Sequence, residues 1–270
     1  MTYHEGELEM QRRAGVRQLA ERVGGIINRT IHPAMAAFLA AQRFVIVATV
    51  DAAGAVTASL LGGTPGFAVA TNERTVAITP AFGDLVDGTG AIGLLAIDQA
   101  NRRRIRINGT ASRGGETILI STSEVYSNCP QYIRPRVVRA RDSGTPSTST
   151  RDALSQAQQQ WISGADTFFL ASAHPQRGAD ASHRGGPPGF VSIESPTRLR
   201  WPDYAGNNMF NSLGNLTVYP RCALLFVDFT RGATLHIRGS ARVEGDDDRE
   251  VIVEIDDVRE TADAIPLRWE

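Results

Sequence analysis

A ten-residue phrase that occurs twice in this chain constrains its fold more than any other feature of the sequence. Residues 58–67 read ASLLGGTPGF and residues 181–190 read ASHRGGPPGF, with seven identical positions at an offset of 123. Three further echoes follow in the same order, the last being IRINGTA (105–111) and LHIRGSA (235–241) at an offset of 130. Because four echoes keep their order, we predict a tandem duplication of one structural unit.

Both copies consist mainly of short apolar runs bounded by turn residues. RFVIVATV (43–50) begins the first copy and DTFFLASA (166–173) begins the second, and such runs are typical of β-strands. Many short strands with glycine-rich turns favour a β-barrel or sandwich over alternating β–α units. Helices are predicted only at the periphery: before His32, over residues 32–42 and over residues 151–165. The sequence therefore predicts a mainly β protein, a β-barrel fold with peripheral helices.

A polar segment separates the two copies. RDSGTPSTST (141–150) is rich in Ser and Thr, a composition suited to a linker. We place the domain boundary there, so that the N-terminal half spans residues 1–140 and includes the first helices. The C-terminal half then spans residues 151–270.

The charge balance and the apolar runs exclude several classes of protein. Lys and Arg number 28 against 29 Asp and Glu, for a formal net charge of −1, so no global field attracts nucleic acid or an acidic membrane surface. No apolar run approaches the ~18 residues of a membrane span, and the N-terminal stretch lacks the apolar core of a secretory signal. The two cysteines, Cys129 and Cys222, cannot build a disulfide framework. We therefore expect a cytoplasmic protein that binds small molecules, with no nucleic-acid or membrane partner.

Three motifs that suggest other functions are set aside. GTGAIG (88–93) fits a dinucleotide-binding pattern, but it runs into an apolar β-like segment where that motif needs a helix. NRRRIR (101–106) is predicted to form the solvated face of a hairpin, with a phosphate contact across an interface as the alternative. The histidines are scattered and no cluster has the spacing of a metal site; they are His4, His32, His174, His183 and His236.

The copies differ at positions where binding chemistry can reside. The paired glycines and the Pro-Gly step that both copies keep are predicted to be turn residues with positive φ. Leu60 and Leu61 of the first copy are replaced by His183 and Arg184, and extra residues enter within or beside DYAGNNMFNSLGNL (203–216), a predicted loop. Asn side chains, exposed backbone N–H groups and an Arg fork can donate to phosphate oxygens. We therefore predict an anion site in the second copy and a degenerate first copy; a purely structural Asn-Gly loop is the alternative.

Three segments of the chain resemble the pyridoxamine 5′-phosphate oxidase-like family of split β-barrel, FMN-binding proteins. They are SHRGGPPGFV, PDYAGNNMFNSLGNL and HPAMAAFLAAQRFVIVATVDAAGAVTASLLGGTPGF. The resemblance runs from about residue 32 to residue 243. Within the family, the chain most resembles a bacterial branch that has two barrels in tandem. It implies two Greek-key split barrels with FMN at an interface between barrels. The residues that it assigns to FMN are Ser182, His183, Arg184, Tyr204, Asn207, Asn208 and Asn211.

Within that set the resemblance implies separate roles. Arg184 is expected to bind the FMN phosphate, and the asparagines are expected to complete the cradle. His183 is a candidate donor to the flavin ring. The family's oxidases use a phosphate loop rich in Arg and Lys, whereas this loop is rich in Asn and has no Lys. Arg268 and Trp269 are the candidates for a substrate contact near the C-terminus.

The resemblance implies an FMN-dependent oxidoreductase that acts on a small organic substrate, with oxygen or NAD(P)H as the redox partner. It assigns no catalytic residue. Two alternatives stay open: a flavin carrier or sensor without turnover, and a haem or F420 binder, for which the axial haem ligand would be His32, His174 or His236. Either a homodimer or an intrachain pseudo-dimer is expected to form the shared site.

Overall fold

The computed structural model describes residues 3–84 and 89–270. The helices within these residues are α1 (Glu5–Arg13), α2 (Arg17–Gly24), α3 (Pro33–Ala40), α4 (Gln156–Gly164) and α5 (Asn211–Val218). The first strands are β1 (Phe44–Val50), β2 (Val56–Gly62), β3 (Ala68–Asn72), β4 (Thr75–Ile78), β5 (Phe82–Gly83), β6 (Gly90–Asp98), β7 (Arg103–Gly114), β8 (Thr117–Ser127) and β9 (Val138–Ala140). The strands that follow are β10 (Ser147–Arg151), β11 (Thr167–His174), β12 (Gly178–Gly185), β13 (Ser192–Ser195), β14 (Arg198–Pro202), β15 (Arg221–Val227), β16 (Thr234–Glu244), β17 (Glu250–Ala262) and β18 (Leu267–Trp269).

The two halves repeat one sheet topology. The first sheet has the order β3-β4-β8-β7-β6-β1-β2, extended by β5 beyond β2. The second sheet, followed in the same direction, has the order β13-β14-β17-β16-β15-β11-β12, and β10 also pairs with β17. Each sheet curls around its own apolar cluster. The protein is therefore mainly β, and the predicted tandem of two split-barrel halves is confirmed.

Equivalent strands also pair in the same register. Phe44 of β1 pairs with Gly62 of β2, and the residues 123 positions later pair with each other between β11 and β12. A β-bulge precedes Gly109 in β7 and recurs before Gly239 in β16. A Cβ atom at either glycine would lie 2.0 or 2.1 Å from a carbonyl oxygen of the next strand, so only glycine fits. The repeat of the sequence is thus a repeat of the strand pairing.

The halves differ in the connection that follows β4 and its equivalent β14. In the N-terminal half this connection forms the two-residue strand β5, and in the C-terminal half it forms helix α5. The predicted loop over residues 203–216 is therefore wrong for its second part. Leu213 and Leu216 stand three positions apart and both are buried, which is the spacing of a helical apolar face. The Asn and Gly residues between them hid that signal.

The repeated glycines have two different structural reasons. Gly66 and Gly189 have φ values of +99° and +86°, as predicted for turn residues. Gly63 and Gly186 do not have positive φ, which corrects the prediction for them. A Cβ atom at either position would lie under 3 Å from the phenylalanine of the same motif. These glycines are needed for a close approach.

The two halves pack against each other through a third apolar cluster. It contains side chains of β1, β2 and β6 from one half and of β11, β12 and β15 from the other, including Phe44, Leu95, Phe169 and Leu225. The backbones of the two sheets approach closely at Gly93 of β6, where a Cβ atom would lie 2.6 Å from the Cα atom of Asp180 in β12. One chain therefore holds both barrels of a pair.

Three elements cross from one part of the chain to the other. Helix α1 packs on α5, where a Cβ atom on Gly6 would lie 2.1 Å from the carbonyl oxygen of Gly214. Strand β9 pairs with the C-terminal strand β18. Strand β10 begins at Ser147, inside the segment predicted to be a linker, and pairs with β17. Both ends of the chain thus contribute to the association of its halves.

Helices α3 and α4 are short and begin at side-chain caps. His32 precedes α3 and accepts a hydrogen bond from the Ala34 N–H, and Ser155 begins α4 with a capping box. Within the described residues, no helix is long and apolar enough to cross a membrane.

From Gly90 onward the GTGAIG motif is strand β6, paired on both edges with β7 and β1, while Gly88 lies outside the described residues. No helix follows the motif, so it lacks the context of a dinucleotide site.

We expect Gly93→Leu to disrupt the packing of the two halves, because its side chain would enter space that the β12 backbone occupies. Overpacking of this kind should lower the free energy of unfolding, measured in urea, by about 3 kcal/mol. Gly114→Leu is the matched control, since a Cβ atom there meets nothing within 4 Å. A loss of equal size in both variants would contradict the close approach.

Candidate functional site

A cleft opens between the two halves at the end of β12. Its empty volume, mouth included, is about 880 Å³. The N-terminal half contributes β7 and the segment after β8, and the C-terminal half contributes β12, residues 201–213 and Arg249. The cleft is therefore composite, with walls from both copies of the duplicated unit.

Six of the seven residues that the sequence assigned to FMN line this cleft. The seventh, Ser182, is fully buried, and its hydroxyl lies 3.4 Å from the carbonyl oxygen of Leu170 and 3.0 Å from the hydroxyl of Ser212. The second copy's His-Arg substitution and its inserted segment thus meet in one place. The six residues that line the cleft are His183, Arg184, Tyr204, Asn207, Asn208 and Asn211.

The N-terminal half supplies a wall that the sequence did not reveal. The prediction that NRRRIR forms a solvated face is wrong for Arg104 and Arg106, because both line the cleft and Arg106 is only 7% exposed. Arg103, which precedes Arg104 in β7, is exposed, because neighbouring side chains of a strand point to opposite faces. That alternation was the available signal. The N-terminal residues of the wall are Arg104, Arg106, Asn128, Cys129, Gln131 and Tyr132.

A buried ion pair joins the halves beneath the cleft. The Nη1 atom of Arg106 in β7 lies 3.0 Å from each carboxylate oxygen of Asp180 in β12, and both side chains are buried. Asp180 also accepts from the hydroxyls of Ser212 at 3.0 Å and Tyr126 at 3.5 Å. Burial opposes the charge of Arg106, but its attraction to Asp180 leaves its pKa raised. Asp180 is thus the shared acceptor of β7, β8 and α5.

A second carboxylate, Asp203, bridges two arginines of the cleft. It lies 3.3 Å from the Nη1 atom of Arg184 and 3.3 Å from the Nε atom of Arg249. One negative charge therefore offsets two guanidinium groups. Burial lowers the pKa of Arg184 even though Asp203 opposes that effect.

Arg104 lacks this kind of compensation. Within the described residues it has no carboxylate at ion-pair distance, and its Nη1 atom contacts the His183 ring instead. Burial, followed by repulsion from Arg106 and Arg184, lowers the pKa of Arg104 to about 9. The cleft consequently carries an excess of positive charge, which favours an anionic ligand.

His183 is held as a neutral ring at the centre of these cations. Burial, followed by repulsion from Arg104 and Arg184, lowers its pKa well below the usual range. The Nδ1 atom lies 3.0 Å from the Arg104 guanidinium. An arginine can only donate, so Nδ1 accepts and the ring proton resides on Nε2.

Buried donors without a partner cluster around the cleft. They are the Nε atoms of Arg104 and Arg184, the Nε2 atom of His183 and the Nε1 atom of Trp201. A buried donor that lacks an acceptor costs about 1–3 kcal/mol. Four such donors on one cleft fit a ligand that carries several acceptor atoms, as a flavin phosphate or a flavin ring does.

Helix α5 begins at the cleft with its first N–H groups uncapped. Its first residues, Asn211, Ser212 and Leu213, line the cleft. Phe210 precedes the helix in a left-handed conformation and provides no side-chain cap. The positive end of the helix therefore adds to the attraction for an anion.

The asparagine side chains have more local roles than the predicted cradle. Asn207 accepts from the N–H of Met209 at 3.1 Å, which shapes the loop. Asn211 donates to Glu7 of α1, so its amide is engaged within the protein. Asn208 has a φ of +62°, a strained conformation of the kind found at functional loops.

Two tyrosines from different halves close one side of the cleft. The rings of Tyr132 and Tyr204 stack with centroids 5.2 Å apart and an interplanar angle of 20°. Tyr132 is 43% exposed and has a φ of +62°. An aromatic pair in this place offers an apolar wall to a planar ligand.

Helix α1 supports the floor of the cleft through Glu7. This carboxyl accepts from the backbone N–H of His4 at 2.8 Å and from Asn211 at the start of α5. Burial raises the pKa of Glu7 to about 7, and these hydrogen bonds oppose the shift. The first helix of the chain thus depends on the protonation state of one buried side chain.

The fold brings three potential metal ligands together near α1, although their spacing in sequence gave no such signal. His4, Glu5 and His174 have ligand atoms within 4.8 Å of one another. In both rings the Nδ1 atom accepts from a backbone N–H, so Nε2 carries the proton and donates to Asn215 or to Glu5. A histidine that binds a metal needs an acceptor at its other nitrogen. The cluster is therefore a hydrogen-bonded contact of α1, and we assign no metal to it.

In the N-terminal half, the position equivalent to the cleft is filled by strand β5. Leu60 and Leu61 take the places of the second copy's histidine and arginine, and β5 pairs along the edge of β2. Asp84, which follows β5, lies 3.3 Å from the Nε2 atom of His236 and 3.1 Å from Arg259. Strand β5 thus occupies the place that corresponds to the cleft's mouth.

The remaining candidates lie elsewhere or have other surroundings. Arg268 and Trp269 belong to β18 and do not line the cleft; Trp269 packs edge-on against Phe44. Cys222 is buried, and burial raises its pKa to about 12. Cys129 lines the cleft and is partly exposed.

Comparisons with known proteins give a family match for a segment of the C-terminal half. Residues 154–264 match the family model described as Pyridoxamine 5'-phosphate oxidase, which confirms the resemblance inferred from the sequence. A comparison with curated proteins gave no match.

Several solved structures are similar to part of this chain. HupZ from Group A Streptococcus is 10% identical, with 38% of this chain and 89% of that chain covered and a TM-score of 0.31. An FAD-binding protein from Mesorhizobium loti is 11% identical, with 43% and 97% covered and a TM-score of 0.32. A putative pyridoxamine 5'-phosphate oxidase from Corynebacterium glutamicum is 8% identical, with 46% and 99% covered and a TM-score of 0.31.

We expect Asp180→Asn to destabilise the protein strongly, because it leaves the buried Arg106 guanidinium without its counter-charge. The free energy of unfolding in urea should fall by about 3–5 kcal/mol. Asp257→Asn is the control, because Asp257 pairs with the more exposed Arg238 and should change stability by less than about 1 kcal/mol. Similar losses in the two variants would show that the buried pair does not join the halves.

We expect the wild-type protein to lose stability as pH rises, because Glu7 ionises, and we expect Glu7→Gln to prevent this loss. The folded-state pKa of Glu7, about 7, lies above its ordinary value of 4.5, so this group stabilises the fold below pH 4.5 and loses that effect as pH rises through 7. The amide does not ionise, so the free energy of unfolding of the variant should exceed that of the wild type by about 3 kcal/mol at pH 8 and equal it near pH 4.5.

The pKa of His4, lowered to about 4 by burial, acts with the opposite sign. At pH 8 His4 is neutral in the folded and unfolded states of both proteins, so it does not contribute to the difference there. Urea unfolding at a series of pH values measures that difference. Glu9→Gln, on the exposed side of α1, is the control and should follow the wild-type curve. A difference that does not change with pH would contradict the buried, protonated state of Glu7.

Proposed function

Since residues 154–264 match the pyridoxamine 5'-phosphate oxidase family, we propose that this chain binds FMN in the cleft between its two halves and acts as an oxidoreductase on a small organic substrate. The observation that carries the proposal is the pair of Arg104 and Arg184. One comes from each half, both line the cleft, and the Nε atom of each is buried without a partner.

The residues present fit the polar end of such a cofactor. Arg184, Arg104 and the uncapped N-terminus of α5 surround one region and carry more positive charge than Asp203 offsets. A phosphate monoester brings two negative charges and several acceptor oxygens, which match these donors. In this proposal the N-terminal half contributes the arginine that the Asn-rich loop lacks.

The other end of the cleft suits a planar ring. Tyr132 and Tyr204 offer an apolar wall, and His183 offers a neutral N–H donor. When bound, the flavin supplies the electron or hydride chemistry, and the protein orients it and controls access. The residues described here therefore bind and orient; none of them is assigned a proton-transfer step. The redox partner in this proposal is oxygen or a nicotinamide.

The proposed site is complete within one chain. Both barrels of the pair belong to the same polypeptide, and the place that corresponds to the cleft's mouth in the first copy is filled by β5. We therefore propose one FMN per chain, held by an intrachain pseudo-dimer. A homodimer is not needed to build the cleft.

Among the alternative cofactors, F420 shares the planar ring and the negative charge and would use the same cleft. Haem is less well supported. The histidines considered as axial ligands, His32, His174 and His236, do not line the cleft formed by the described residues. The Nδ1 atoms of His32 and His174 also accept a backbone hydrogen bond, and the Nε2 atom of His236 lies 3.3 Å from Asp84.

We expect the purified protein to bind FMN at one equivalent per chain, with the flavin absorbance and fluorescence changed by binding. Arg184→Ala and Arg104→Ala should each raise the Kd for FMN by about 10- to 100-fold, because each removes a charged hydrogen bond. Arg103→Ala is the control, since Arg103 is exposed beside Arg104 in the same strand. Unchanged affinity in both cleft variants would overturn the phosphate assignment.

A flavin carrier and an enzyme are distinguished by turnover. A bound flavin that NADPH reduces and air reoxidises, at a rate that depends on an added organic substrate, supports the oxidoreductase. A bound flavin that dithionite reduces but no substrate affects supports a carrier or sensor. Haem in place of flavin in the purified protein would contradict both.

A further inference from the structure

The cleft contains one polar contact that links a guanidinium of one half directly to an imidazole of the other. The Nη1 atom of Arg104, in β7 of the N-terminal half, lies 3.0 Å from the Nδ1 atom of His183, in β12 of the C-terminal half. We propose that Arg104 is a positioning residue that fixes His183 in a single neutral tautomer, so that the cleft presents a permanent N–H donor at Nε2. The acceptor would be a ring nitrogen or carbonyl oxygen of a heteroaromatic ligand.

The tautomer follows from the chemistry of the two groups. A guanidinium has five N–H donors and no acceptor. The Nδ1 atom of His183 must therefore offer its lone pair, and in the neutral ring the proton then lies on Nε2. His183 is only 5% exposed. Its Nε2 atom is buried and has no hydrogen-bond partner. A donor in this state needs an acceptor from a ligand.

The groups around His183 keep the ring neutral. Its charged neighbours are Arg104 and Arg106 of β7, Arg184 of β12, and Arg136 after β8. The Phe169 ring of β11 packs edge-on at 6.0 Å. The carboxylates behind these arginines are already paired, Asp180 with Arg106, Asp203 with Arg184 and Asp166 with Arg136. Protonation of Nδ1 would also place its new proton against the Arg104 N–H groups.

The duplication supplies an independent observation. Neither residue type of this contact is kept in the other copy. Leu60 is the equivalent of His183, and Thr234 is the equivalent of Arg104. Leu60 is apolar, and the buried hydroxyl of Thr234 has no hydrogen-bond partner. The His-Arg contact therefore occurs at the open cleft and not at the equivalent position that β5 fills.

The consequence is a specific role for His183. A histidine near its usual pKa can exchange protons with a substrate, whereas one fixed by Arg104 can only donate a hydrogen bond. The tautomer assignment stands on the protein's own contacts. Only the identity of the acceptor rests on the proposed function.

The test is a long-range proton–nitrogen NMR correlation on ligand-free, full-length protein labelled with 15N-histidine. His183→Gln identifies the His183 signals. We expect Nε2 to be protonated and Nδ1 to be unprotonated, with no change from pH 5.5 to pH 8. An imidazolium or an Nδ1–H form of the wild-type ring at pH 7 would overturn the proposal. That measurement does not depend on whether any variant folds.

The variants test the part played by Arg104. Arg104→Met should give a mixture of tautomers and raise the titration midpoint of His183, because one repelling cation and the fixed donor are both lost. Arg104→Lys keeps a charged donor and should restore the single tautomer. Arg103→Met, one residue away and facing solvent, should leave the signals unchanged. A wild-type spectrum in Arg104→Met would show that Arg104 does not fix the ring.

Addition of FMN separates the inference from the proposed function. A downfield shift of the Hε2 resonance supports His183 as a donor to the bound ligand. FMN that binds without moving this resonance overturns the choice of acceptor. Failure of FMN to bind overturns the proposed function and that acceptor, while the tautomer measured in the ligand-free protein still supports or overturns the role of Arg104.

Discussion

The ion pair between Arg106 and Asp180 is the interaction on which the arrangement of this molecule depends. It is buried, it connects β7 of one half to β12 of the other, and Asp180 also receives hydrogen bonds from β8 and α5. Charges removed from water need such a complete set of partners, or their desolvation exceeds their attraction. The pair therefore fixes how the halves meet. The position of the cleft above it follows.

Duplication within one chain allowed the two copies to diverge around that junction. In the first, a two-residue strand closes the edge of β2; in the second, a helix of eight residues leaves the edge open and directs its N-terminus to the cleft. Arg104 and Arg106 of the first copy correspond to Thr234 and His236 of the second. Each copy thus keeps the sheet and differs in the residues around the junction. The two halves together line one cleft.

Much of the fold could be predicted from the sequence because it is encoded locally and twice. Apolar alternation gives the strands, and the repeat gives their order and register. Helix α5 was missed since Asn and Gly mask the spacing of Leu213 and Leu216. Arg106 was misjudged because its partner is 74 positions away in the chain, and a basic run without its counter-charge resembles a solvated surface. Six candidate residues at the cleft were found because they differ between the copies. Arg104 and Arg106 of the N-terminal wall also differ, since the second copy has Thr234 and His236 there, but that difference was not used.

The contact between α1 and α5 sets an order for the synthesis of the protein. His4 and Asn215 share a hydrogen bond across 211 positions of the chain, and Gly6 lies against the backbone of α5. Helix α1 therefore leaves the ribosome well before α5, its docking surface, has been synthesised. A contact of such long range forms late, because the entropy of closing the loop must be offset by structure already in place. The floor of the cleft is thus among the last parts of the molecule to mature, and a nascent chain that stops before α5 has no such floor.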